Sequence, residues 1–151
     1  MSRAVYQAGL SWALIDRQWG GFLEAFEGFE PTIVAAYGDV DVARILAHPG
    51  IVHSERKTRA TIRNARTILS LHKEHGGFAR YLRSRCAYAD LRDDLQRRFA
   101  YVGDISVYYF LYRVGEPVPP YERWARTVKG HHPRIREMLK TGARPKRRLR
   151  V

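Results

Sequence analysis

The chain is nearly devoid of cysteine. Among its 151 residues only Cys86 is one, which excludes an intramolecular disulfide and a thiolate cluster of the kind that holds zinc. Between Arg85 and Ala87, that thiol reads as a buried or half-buried side chain rather than an activated nucleophile. Long apolar runs are missing as well. None reaches the roughly 18 residues of a membrane helix, and Gln7, Asp16 and Arg17 interrupt the start of the chain where a secretory signal would lie. The expectation is a soluble, intracellular protein of the cytoplasm with no membrane partner. Acidic residues are outnumbered, 15 Asp+Glu against 27 Lys+Arg, for a formal charge of +12. Such an excess favours a polyanionic partner, nucleic acid before anionic membrane. Also absent are a phosphate-binding P-loop, a nucleophile elbow and a His/Asp pair at metal-ligand spacing. The neighbours His131 and His132 point apart on a helix, so neither a metal nor a cofactor is expected.

No segment alternates with period two and no repeat is visible, so the domain reads as all-α. Its 45% hydrophobic content suits one core. The expected domain spans 1–143, and the basic "RPKRRLRV" forms a mobile tail over 144–151. Val5, Ala8, Trp12, Ile15 and Trp19 recur at spacings of three and four, which predicts one helix over 2–19, broken by Gly20-Gly21. That helix would carry Gly9 in its middle, at a cost of about 1 kcal/mol relative to alanine. Further on, Pro31 suits a first helical position and Asp39 an N-cap. Ser54 opens the clearest helix, which stops at Gly76-Gly77. Arg56, Arg59, Arg63 and Arg66 form a stripe along it, either a solvated face or a phosphate-contact surface.

A helix around Tyr88 to Phe99 precedes "YVGDISVYYFLYRVG", read as a turn and a core helix apolar almost all round. The turn exposes backbone N–H groups at the start of that helix, where an anion can bind, with Gly103 permitting close approach and Asp104 or Ile105 as its first residue. The prolines of "EPVPPYERW" make a stiff bend. A last helix runs from Tyr121 to about Lys140, where Glu122 is a favourable first-turn carboxylate.

Three stretches, "QAGLSW", "PGIVHSERKTRATIRNAR" and "RRFAYVGDISVYYFLYRVG", occur in an order and spacing that resemble DNA-3-methyladenine glycosylase I and its relatives. These are helix-hairpin-helix DNA glycosylases, compact multi-helix proteins that cut the N-glycosidic bond of a damaged base, and the likeness spans roughly Ala4 to Gly115. It implies base-excision repair of double-stranded DNA carrying a damaged base. It implies that Gly9 and Leu10 enter the gap left by an extruded base, and that Trp12 walls the base pocket with Tyr6 and Gln7 beside it. By the same resemblance Arg59 and Arg63 lie along DNA, and Tyr101, Val102, Gly103, Asp104 and Ser106 form the phosphate-holding hairpin. Glu122, seven residues beyond Gly115, falls where many relatives carry a catalytic aspartate.

Departures from the family pattern are equally specific. The zinc ligands near the termini are missing, Ala4 stands where the family has an acidic base-reading residue, and an upstream segment with pocket tyrosines is absent. The resemblance therefore implies a divergent or N-terminally truncated member, a monomer acting on an alkylated purine such as 3-methyladenine. The alternatives are a non-catalytic helix-hairpin-helix DNA-binding module and, third, an RNA-associated protein.

Overall fold

A computed structural model describes residues 1–127. Its order is α1 (Ser2–Gln7), α2 (Trp12–Arg17), α3 (Trp19–Ala25), a 3-10 turn (Glu27–Phe29), α4 (Pro31–Ala36), α5 (Asp39–Leu46), α6 (Glu55–His75), α7 (Phe78–Leu82), α8 (Tyr88–Arg98), α9 (Asp104–Val114) and α10 (Tyr121–Ala125). Every element among the described residues is helical, as the missing alternation predicts. The boundary at 143, the tail 144–151, the pair His131 and His132, and the part of the expected last helix past residue 127 lie outside the described residues; within them α10 ends at Ala125, with Arg126 and Thr127 in a turn.

The 21-residue α6 is the axis. Ser54 caps it, its Oγ accepting from the Lys57 amide at 3.4 Å, and Gly76 ends it in the left-handed region at φ 66°. On one side, Phe22, Phe26, Val34, Val42, Ile45 and Ile62 join α3, α4, α5 and α6 into a first apolar cluster. On the other, Leu71, Leu82, Leu91, Leu95, Val107 and Leu111 join α6 to α9 into a second. A third, aromatic cluster brings Trp12, Tyr108, Tyr109, Tyr121 and Trp124 together from α2, α9 and α10.

Helix α1 stands where the three meet. Its consecutive residues Ala4, Val5 and Tyr6 belong to the third, second and first clusters in turn. Its last turn has no solvent face, since Ala4 to Gln7 are all buried, while Ser2 and Arg3 are half-buried.

Where a single helix is predicted over 2–19, the chain forms two, α1 and α2, and begins a third at Trp19. Burial on all sides of α1 mimics a continuing stripe, but the chain leaves the helix at Ala8 and restarts at Trp12. Gly20 and Gly21 do not stop a helix; they lie inside α3. A β-carbon at Gly21 would stand 2.7 Å from the Gly50 carbonyl oxygen, so glycine there lets α3 press against the 48–51 turn. The N-cap of α5 is Gly38 rather than Asp39, and the Asp41 carboxylate accepts from the Gly38 amide at 3.0 Å. Cys86 is exposed in the α7–α8 connection, contrary to the buried or half-buried position expected.

Candidate functional site

"QAGLSW" is a helix end, a turn and a helix start, which removes the puzzle of a glycine inside a helix. Gln7 closes α1 and Gly9 sits at the exposed apex with φ 72°. That conformation is strained for any residue with a β-carbon, although the space beside Gly9 is open for 4 Å. Ser11 caps α2 by accepting from Leu14 N–H at 3.4 Å, and Trp12 is the first residue of α2. Three side chains fasten the base of the turn. The Trp12 indole donates from Nε1 to the Gln7 carbonyl at 3.2 Å. Gln7 donates from Nε2 to the Asp16 carboxylate at 3.1 Å, which leaves its Oε1 buried with no hydrogen-bond partner. Lys57 reaches from α6 to the Val5 carbonyl at 2.7 Å, the Tyr6 carbonyl at 3.4 Å, and the Ala8 carbonyl.

The second motif makes the α8–α9 hairpin. After α8 the chain is extended at Phe99, turns through Tyr101 at φ 57°, and enters α9 from Gly103. Asn64 holds the turn from α6, donating to the Ala100 carbonyl at 3.1 Å and accepting from the Ala100 amide at 2.8 Å. Val102 is buried in the second cluster and anchors the hairpin. The first amides of α9 lack partners within the helix, and a β-carbon at Gly103 would meet no protein atom within 4 Å, so that end is open. The Asp104 carboxylate faces α8, where it accepts from Gln96 Nε2 at 3.0 Å and lies 3.8 Å from Arg92 Nε. That pairing offsets its charge at the helix start.

The two motifs, far apart in sequence, share one cavity of about 440 Å³. From the first come Gln7, Ala8, Gly9, Leu10 and Trp12; from the second, Gly103, Asp104, Ile105 and Ser106. Ala4 and Tyr109 complete the lining, with the rings of Trp12 and Tyr109 4.9 Å apart at 58°. An aromatic wall, one buried unpartnered acceptor and an open helix start can hold a flat polar ring beside an anion. A larger cavity of about 640 Å³ lies between the α7–α8 connection and α10, and contains neither motif.

Several expected site residues fall elsewhere. Tyr6 is not a pocket wall. It is fully buried in the first cluster, its hydroxyl 3.1 Å from Thr58 Oγ1 and its ring 4.4 Å from that of Phe22. Leu10 is half-buried against the same cluster, with only part of its side chain offered to the cavity. Tyr101 and Val102 build the hairpin without lining the cavity. Glu122 is exposed in the first turn of α10 and lies outside the cavity. It is tied to the aromatic cluster through its neighbours, and with burial as the larger cause its charge helps push the Tyr108 hydroxyl up to about 12. Arg59 and Arg63 also stand apart. Arg59 pairs with Asp39 and Glu55, both at 2.8 Å, and Arg63 is exposed on α6, about 100–120° around the helix from Asn64 and Lys57.

The residues that sequence reasoning missed are Lys57 and Asn64. Their seven-residue spacing places both on one face of α6, and burial holds the Lys57 ammonium below the usual lysine range. The available signal was a lysine and an asparagine at apolar positions of an otherwise regular helix. Among the described residues, the buried carboxylates Asp94 and Glu116 both lie away from this cavity. Asp94 is held by Arg98 and Tyr81 at 3.1 Å and Glu116 by Arg83 at 2.9 Å. No group of acids, histidines and cysteines among the described residues could hold a metal ion, and no helix there is long and apolar enough to cross a membrane.

The model of the methyladenine glycosylase family matches residues 2–97. A DNA-3-methyladenine glycosylase of Haemophilus influenzae is 22% identical over 130 residues, 72% of this chain and 70% of that protein. DNA-3-methyladenine glycosylase 1 of Escherichia coli is 33% identical over 76 residues, 50% of this chain and 41% of that one. Among solved structures, 3-methyladenine DNA glycosylase I from Staphylococcus aureus, solved for its recognition of 3-methyladenine, superposes with a TM-score of 0.64 at 27% identity, over 73% of this chain and 70% of that chain. A further crystal structure of 3-methyladenine DNA glycosylase I gives a TM-score of 0.65 at 27% identity, covering 73% and 72%.

Proposed function

The chain belongs to the methyladenine glycosylase family, and from that premise we propose that it excises an alkylated purine from double-stranded DNA during base-excision repair, as a cytoplasmic monomer. The observation that carries this reading is the shared cavity, in which the Gly9 turn, the Trp12 and Tyr109 rings and the open start of α9 converge.

In this reading the hairpin amides around Gly103 and the hydroxyl of Ser106 receive backbone phosphate. Gly9 brings the turn close to the duplex, and the exposed part of Leu10 occupies the space of the extruded base. The base lies against Trp12 and Tyr109. A cationic alkylated purine gains there from the π faces, about 0.5–2 kcal/mol per contact. The unpartnered Gln7 Oε1 accepts from an N–H of the base. Hydrolysis by water draws chiefly on the electron-poor leaving base, because Asp104, the one acid among the described residues that line the cavity, is engaged with Gln96 and Arg92. Glu122 is then a first-turn carboxylate of α10, and Glu122→Gln leaves the release rate within about threefold.

One observation favours a second reading, a DNA-binding module without base release: Ala4 lines the cavity where the family pattern carries an acid. Chromatography of methylated duplex DNA incubated with the protein separates the two. The excision reading expects free 3-methyladenine, and Trp12→Ala to abolish its release while the variant stays folded. Tight, salt-dependent binding to abasic duplex with no released base selects the binding module.

A further inference from the structure

A lysine ammonium removed from water is stable only where its donors are satisfied. Lys57 is 8% exposed, and its three N–H groups meet three carbonyls, those of Val5, Tyr6 and Ala8. The first two belong to the last turn of α1 and the third to its C-cap. The chain's own amides close that turn only in part, Ala8 donating to the carbonyls of Ala4 and Val5 but not to that of Tyr6, and Leu10 to that of Gln7, before it swings away to the Gly9 apex. The same ammonium lies 5.3 Å from the ring centroid of Tyr101, the hairpin residue held at φ 57°. Two helical turns along α6, Asn64 grips the adjoining Ala100 through both its amide and its carbonyl.

One charge therefore reaches both motifs that frame the cavity, the turn through its carbonyls and the hairpin through the Tyr101 ring. We propose that Lys57 is a positioning residue that fixes the base-displacing turn and the phosphate-holding hairpin relative to one another. It contacts neither base nor phosphate, and the cavity lining excludes it. Its shape suits the task. A compact ammonium meets three converging carbonyls, whereas a planar guanidinium spreads its donors in a fork, and a methionine of similar length has none. The functional part of the inference rests on the excision reading above; the mechanical part does not.

Lys57→Met and Lys57→Arg test both parts. Gly9 and Gly103 give separate amide signals in a nitrogen–proton NMR spectrum, one on each wall. The proposal expects both to shift in either variant, and the single-turnover release of 3-methyladenine at saturating DNA to fall about tenfold in the folded protein. A cap local to α1 would move Gly9, leave Gly103 in place and lower only the urea midpoint; that result overturns the proposal, as does an unchanged release rate. If the Met variant does not fold, the Arg variant, which keeps the charge, carries the same two measurements. A wild-type protein that neither releases base nor binds abasic DNA sinks the excision reading alone, because the NMR result stands independently of it.

Discussion

The two faces of α6 carry polar residues with opposite fates. Arg56, Arg59, Arg63 and Arg66 are exposed. Two of them serve neighbouring helices: Arg59 bridges to Asp39, and Arg66 donates to the Ala35 and Tyr37 carbonyls at the end of α4, at 2.8 and 3.1 Å. Lys57, Thr61 and Asn64 are buried on the other face. There Thr61 bonds the Lys57 carbonyl at 2.9 Å, while Lys57 and Asn64 hold the turn and the hairpin. The dense charge that draws attention in the sequence is mostly surface and brace, and the sparse polar residues on the apolar side shape the cavity. An exposed ion pair contributes about 0–1 kcal/mol. A buried polar group left without its partner costs about 1–3 kcal/mol.

The sharpest way to break this contrast is Asn64→Ala. It strands the Ala100 amide and carbonyl together, so a loss of about 2–4 kcal/mol is expected in urea unfolding, with the hairpin disordered first. A loss below about 1 kcal/mol would place water in the role given to Asn64. Next comes the turn that the buried face supports. Gly9→Ala meets open space but keeps φ 72°, so it should lose about 1 kcal/mol from backbone strain alone, read from the same unfolding curves. A neutral result would mean that the turn can relax. The smallest effect is expected on the exposed face. Arg63→Ala should change stability by less than about 0.5 kcal/mol and affinity for abasic duplex by less than about threefold; a tenfold loss would return that face to the DNA.

Much of the fold was legible. Ser54 and Gly76 announce α6 because capping is local chemistry, and Pro31 and Gly115 act in the same way at α4 and α9. The break after Gln7 was not legible. A helix whose last turn is buried on every side has no amphipathic signature to end, and the residue that bonds the Tyr6 and Ala8 carbonyls, Lys57, comes from about fifty positions later. Gly20 and Gly21 misled for the same reason: Gly21 is small for the sake of Gly50, a distant neighbour. Of the site, the resemblance named both motifs, and the fold adds that they face one cavity. Tyr6 shows the limit. It adjoins Gln7 in sequence, but one step around so short a helix turns its ring by about 100° into a different cluster.

That short helix also has a consequence for folding. Because α1 divides Ala4, Val5 and Tyr6 among three clusters built from residues spread over most of the described chain, it gains little until all three have condensed. It therefore docks late, after the contacts of low sequence separation have formed. Once docked it cannot loosen alone, since releasing α1 uncovers all three clusters together. Short helices commonly open locally at little cost; here the bonded amides of Val5, Tyr6 and Gln7 should exchange with solvent at the rate of global unfolding, which hydrogen exchange checks.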